Sequence, residues 1–69
     1  MPYRRMRQFR KQRDLSIEEV SISIGVHQNT IANWEKLRST PGAEKLICLS
    51  VMYGRSPSEL MEIVEDEGD

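Results

Sequence analysis

No stretch of this sequence limits its fold more tightly than Ser16 to Lys36. Ser16-Ile17-Glu18-Glu19 opens it as a capping box, with the serine hydroxyl placed for the free amide of Glu19 and the glutamate reaching back. Val20 and Ile24 give the core stripe of a short helix, and Gly25 breaks it because a tight turn at positive φ suits a residue without a Cβ. A further helix runs from about His27 to Lys36. Two short helices joined by a turn of about four residues containing a glycine make a helix-turn-helix when their packing permits a near-perpendicular crossing. Val20, Ile24, Val26, Ile31 and Trp34 can form the shared core, and Ser21 is the small side chain where the two helices meet. Any αα-hairpin satisfies the same pattern, so the exposed face must decide between them.

The remaining punctuation extends this to five helical segments, and nothing alternates with the strand period over a useful length, so the expected class is all-α. In the first segment Tyr3, Met6, Phe9, Arg10 and Arg13 fall on one helical face. Asp14 ends it in a left-handed turn and Leu15 turns inward. The fourth segment follows Pro41-Gly42, covers about Ala43 to Tyr53 and closes at Gly54. The fifth starts at Ser56-Pro57-Ser58-Glu59, a capping serine with proline at the first helical position, ahead of Leu60, Met61, Ile63 and Val64. The expected domain spans residues 1–64, with 65–69 a frayed, disordered acidic tail.

A chain of 69 residues can hold one domain with a small core and no second, catalytic unit. The single cysteine, Cys48, allows neither an internal disulfide framework nor a cysteine-based zinc site, and packing is its expected role. No stretch reaches the roughly 18 apolar residues that span a bilayer, and the charged start lacks a signal peptide's apolar run. A soluble, unprocessed, cytoplasmic protein is expected. There is no nucleophile-base-orienter set, no phosphate-cradling glycine loop and one histidine, so no enzyme, cofactor, metal or small-molecule ligand is expected. Charge is divided unevenly. Residues 1–38 carry a net +4 and residues 39–69 a net −5, the polarity expected when one end faces phosphates, although solvated charge runs produce it too.

The exposed positions of the third segment decide against a bland hairpin. Gln28, Asn29, Thr30 and Asn33 are amides and a hydroxyl, where a helix selected for solubility would carry Glu and Lys. Gln and Asn pair with the N6 and N7 edge of adenine in the major groove, and a threonine methyl meets the thymine methyl. Trp34 lies on the stripe of Ile31 and reads as core.

At this point the chain resembles a known family, the phage-repressor and Cro type of helix-turn-helix domain, also called the xenobiotic-response-element family, with the lambda-repressor-like fold. The likeness runs from about Tyr3 to Met61 through Arg10, Leu15-Ser16, Glu18-Glu19, Gly25-Val26, Thr30-Ile31, Trp34-Glu35, Pro41, Leu46, Gly54 and Ser56 to Glu59-Leu60. It implies base contacts by His27, Gln28, Asn29, Thr30 and Asn33, and phosphate contacts by Ser16, Lys36, Arg38, Ser39 and Thr40. It also implies a structural ion pair between Arg10 and Glu35. Two positions depart from the pattern. Ile17 stands where members usually carry Gln, and Leu37 where they usually carry Gly.

The run from Leu46 to Tyr53 is apolar on nearly every face. Leu46, Leu49 and Tyr53 share a stripe for the core, which leaves Cys48, Val51 and Met52 outward. The resemblance implies pairing through Val51, Arg55, Pro57, Met61 and Val64, hence a homodimer on a pseudo-palindromic operator in double-stranded DNA. A chain that is the DNA-binding half of a longer repressor would leave the same surface bare. The rival to a repressor is an interaction module of antirepressor or antitoxin-like kind, supported by the acidic second half and by Ile17 and Ile22 where polar residues are expected.

Overall fold

The computed structural model describes residues 1–65. Five helices and two short strands follow in the order β1 (Pro2–Arg4), α1 (Met6–Gln12), α2 (Ile17–Ile24), α3 (Gln28–Glu35), α4 (Ala43–Tyr53), α5 (Pro57–Leu60) and β2 (Ile63–Glu65). The five helices expected from the punctuation are present. The strands are an addition: β1 and β2 pair antiparallel with Pro2 opposite Glu65, Tyr3 opposite Val64 and Arg4 opposite Ile63. Tyr3, assigned to the face of the first helix, is therefore in β1, and the helix begins only at Met6. The fifth helix is also shorter than its apolar pattern suggested. Met61 caps it, and the β-branched pair Ile63-Val64 takes the extended backbone it prefers. Glu65, placed with the acidic tail on sequence grounds, closes β2, and residues 66–69 lie outside the described residues.

Both capping boxes form in full. The Glu19 amide donates to Ser16 Oγ at 3.0 Å and the Ser16 amide to Glu19 Oε1 at 2.8 Å, with the same exchange between Ser56 and Glu59. Hydrogen bonds from the serine backbone amide and then its hydroxyl hold each glutamate below the ordinary carboxylate value of 4.5. A carboxyl whose folded value is lowered stabilises the fold above its unfolded value and loses that contribution as pH falls through the folded one. Thermal midpoints are thus expected to fall as pH drops below 4.5, and to fall less in a Glu19→Gln/Glu59→Gln variant. Equal acid sensitivity in the two proteins would exclude the caps as its source.

Four helices end on a residue in the left-handed region: α1 at Asp14 (φ 56), α2 at Gly25 (φ 72), α3 at Leu37 (φ 67) and α4 at Gly54 (φ 68). At Gly54 the need is double, because a Cβ there would also collide with the Arg13 guanidinium seated at the end of α4.

The core is built by Met6, Phe9, Val20, Ile24, Ile31, Trp34, Leu49, Tyr53 and Leu60, with Leu15, Ile17, Val26, Leu46, Met52 and Met61 packed around it. The shared core assigned to α2 and α3 is all present, and buried Ser21 donates to the Glu18 carbonyl at 2.8 Å. Met52, expected outward, is half-buried against the core, because α4 packs on both α2 and α5 and so buries more than one stripe. Cys48 and Val51 are exposed. No helix of the described residues is long and apolar enough to cross a membrane.

Candidate nucleic-acid interface

α3 sits with Ile31, Trp34 and Glu35 buried, which turns the opposite arc outward. By the helical period that arc holds Gln28, Asn29, Ala32 and Asn33. Gln28 and Asn29 are exposed, as is the N-cap residue His27, whose side chain makes no capping bond. Thr30 and Asn33 are half-buried at the flanks. The five residues assigned to base reading thus lie along one short helix and its cap. Ala32, which sequence reasoning passed over, is half-buried on the flank of the arc beside Glu35, and its methyl is the kind of group that meets a thymine methyl.

Beyond α3 the chain turns back on itself. Lys36 caps the helix, the Leu37 amide donates to the Trp34 carbonyl at 3.4 Å, and the Arg38 amide donates to the Asn33 carbonyl at 2.9 Å. This is a Schellman closure with leucine at the left-handed position. The departure from glycine at Leu37 therefore leaves the turn in the conformation that glycine would adopt and costs the backbone about 1–2 kcal/mol instead. Lys36, Arg38, Ser39 and Thr40, the residues assigned to phosphates, are all exposed along this turn.

A buried arginine holds the turn in place. Arg4, at the end of β1 and only 8 % exposed, donates from Nη1 to the carbonyls of Trp34 and Ser39, each at 2.6 Å, and from Nη2 to Thr40 Oγ1 at 3.2 Å. All three acceptors are neutral. Arg4 therefore links the strand pair to the C-terminal end of the reading helix and to the loop after it. Sequence reasoning missed it, since the run Arg4-Arg5-Met6-Arg7 has no local mark that tells the inward arginine from its neighbours.

The second brace is the ion pair Arg10–Glu35. Arg10 Nε and Nη2 donate to the two oxygens of Glu35 at 2.8 and 3.2 Å, and Nη1 donates to the Leu15 carbonyl at 2.8 Å. Both side chains are more than nine-tenths buried. The bond fixes α1 against the end of α3, the structural role expected of it. Burial pushes the neighbouring Tyr53 phenol well above its ordinary value; the Glu35 charge adds to the shift and Arg10 opposes it.

Ser16 is exposed at the start of α2, with its hydroxyl accepting from the Glu19 amide. The pairing residues named from the resemblance follow one another along α4, α5 and β2. Val51 is 79 % exposed, Arg55 and Pro57 are exposed, and Met61 and Val64 are half-buried. Arg55 is partly engaged within the domain, with its guanidinium over the Phe9 ring at 4.9 Å and 3.7 Å from the Glu59 carboxylate. Among the described residues no group of three or more His, Cys, Asp or Glu side chains could hold a metal.

A search of the curated proteins returns no match. The family model described as helix-turn-helix matches residues 6–60, from the first residue of α1 to the last of α5. With that match, and with α2 and α3 packed to turn an amide-rich arc outward, the chain belongs to the helix-turn-helix family of the phage-repressor and Cro type, whose members are DNA-binding regulators.

Proposed function

We propose that this protein is a sequence-specific transcriptional repressor, acting in the cytoplasm as a homodimer that lays α3 in the major groove of a short pseudo-palindromic operator. The observation that carries this reading is the outward arc of α3, where Gln28, Asn29 and Asn33 flank Ala32 with no acidic residue among them. Amides at these positions suit adenine edges, and the backbone of the groove is met by Ser16, Lys36, Arg38, Ser39 and Thr40, with about two to four phosphate contacts per subunit. Pairing through Val51, Arg55, Pro57, Met61 and Val64 doubles the site length, with half-sites about one helical turn apart.

Selection from random duplexes followed by titration at two salt concentrations tests the reading. Gln28→Ala and Asn33→Ala are each expected to weaken the selected duplex by about 1–3 kcal/mol and leave unrelated duplexes nearly unaffected. Lys36→Ala and Arg38→Ala should weaken both alike and flatten the salt dependence. Equal losses on every duplex from all four would remove α3 as the reading element. Sedimentation gives the stoichiometry: one subunit per palindromic duplex at saturation would refute the dimer, and Val51→Glu should weaken a real one.

A second reading rests on Ile22, which is 75 % exposed on α2 in a hollow shared with His27 and Gln28. A protein partner covering that hollow would make the domain an interaction module of antirepressor or antitoxin-like kind, and then no salt-dependent duplex complex would form.

A further inference from the structure

Of the four helix ends that turn left-handed, three use residues that tolerate it: Asp14, Gly25 and Gly54. The fourth carries Leu37 at φ 67, where a bulky side chain is a genuine outlier. Glycine at this position would close the same turn without strain. The leucine returns nothing to the core for that strain. It is half-buried, yet the partly buried apolar side chains packed on the core are Leu15, Ile17, Val26, Leu46, Met52 and Met61. Strain kept where the fold does not need it is a mark of functional positions.

The surroundings of Leu37 identify what it meets. The Asn33 carbonyl accepts from the amides of Arg38 at 2.9 Å and Ser39 at 3.4 Å, and the Arg4 guanidinium bridges the carbonyls of Trp34 and Ser39. The turn is thereby tied to Asn33, one of the residues assigned to base reading. With Asn33 at the base edges, the turn lies at the wall of the groove, where the sugar-phosphate backbone runs. Leu37 stands between Lys36 and Arg38, both exposed and both assigned to phosphates. Between successive phosphates the backbone offers the deoxyribose ring, whose C–H faces are its apolar surface. We propose that Leu37 is a deoxyribose contact, its side chain packed on a sugar of the bound duplex while Lys36 and Arg38 meet the phosphates beside it. The proposal rests on the reading that the chain binds DNA, and it adds an apolar contact to a grip otherwise made of cations and hydroxyls. Sugar contacts, like phosphate contacts, position the protein without reading sequence.

The test uses the full chain, the duplex recovered by selection and an unrelated duplex of equal length. Leu37→Gly removes both the strain and the side chain. Its unfolding midpoint should rise by a few degrees, while both duplexes bind about three- to tenfold more weakly. Because a leucine releases no counterion, the slope of log K against log salt should stay unchanged. Leu37→Ala keeps the left-handed strain but loses the reach, and should weaken binding to the same extent. Leu37→Met keeps an apolar reach and should bind like the wild type. In the complex, the Leu37 methyl protons should show nuclear Overhauser effects to deoxyribose protons. Wild-type affinity of Leu37→Gly for both duplexes would overturn the contact and leave DNA binding standing. A flattened salt slope would also overturn it, because Leu37 would then act by placing Lys36 and Arg38. So would a loss confined to the selected duplex, which would make Leu37 a base contact, or full affinity in Leu37→Ala, which would trace the glycine effect to flexibility. A lower midpoint in Leu37→Gly would assign the leucine to packing within the domain and overturn the proposal as well. No complex between the wild type and any duplex would remove both readings.

Discussion

Glu35→Ala is expected to cost about 3–5 kcal/mol of folding stability, a large share of what a domain of this length has. Removing one partner of a buried ion pair strands the other charge without solvent, and that penalty exceeds the worth of the pair itself. Here the stranded group would be the Arg10 guanidinium, 8 % exposed and left, among the described residues, with the neutral Leu15 carbonyl as its acceptor. A domain of this length is stable by roughly 3–10 kcal/mol at 0.05–0.15 kcal/mol per residue. Urea titration followed by circular dichroism reads the loss. The double variant Arg10→Met/Glu35→Leu should recover most of it, since an apolar pair of similar volume avoids the desolvation of two charges. If the double variant were no more stable than Glu35→Ala, the loss would come from packing at the end of α3 and not from the stranded charge.

Arg4→Met should have the next largest effect, about 2–4 kcal/mol, because it leaves the carbonyls of Trp34 and Ser39 without their charged donor. Unlike the Glu35 variant, it acts on one side of the domain. The turn after α3 loses its tie to β1, and Lys36, Arg38 and Thr40 lose their fixed positions. At a temperature where the variant is still folded, duplex affinity should therefore fall and its salt dependence flatten, while the preference among base sequences set by α3 persists. Arg4→Lys should restore little, since a single ammonium cannot span three acceptors that a planar guanidinium reaches together. A normal salt slope in folded Arg4→Met would show that the turn does not need the brace.

How much of this could be read in advance depended on the range of the interaction. Both capping boxes and the left-handed residues at Asp14, Gly25 and Gly54 are set by neighbours within five residues, and each stood in the sequence as a recognisable string. The stripes Val20–Ile24 and Ile31–Trp34 likewise follow from period alone. The strand pair did not announce itself, because three residues cannot display an alternation, and Tyr3 fits a helical face as well as a strand. Only the β-branched Ile63-Val64 hinted at extended backbone. Arg4 was hidden for a different reason: its partners lie 30 to 36 positions away and two of them are backbone carbonyls, which every residue possesses. Met52 was misplaced because a helix packed between two others buries more than one face. In the interface, the amides of α3 were visible as residue types, whereas the seating of α1 against α3 depends on tertiary packing.

The strand pair also imposes an order in time. Arg5 donates to the Glu62 carboxylate across 57 positions of chain, and closing so long a loop costs entropy that the neighbouring helices α2 and α3 never incur. Until β2 arrives, β1 has no partner to hold Arg4 beneath the turn at Ser39 and Thr40. A refolding chain is thus expected to acquire the shape of its reading helix early and its grip on the nucleic-acid backbone late, an order that pulsed amide labelling would reverse if the strands zipped first.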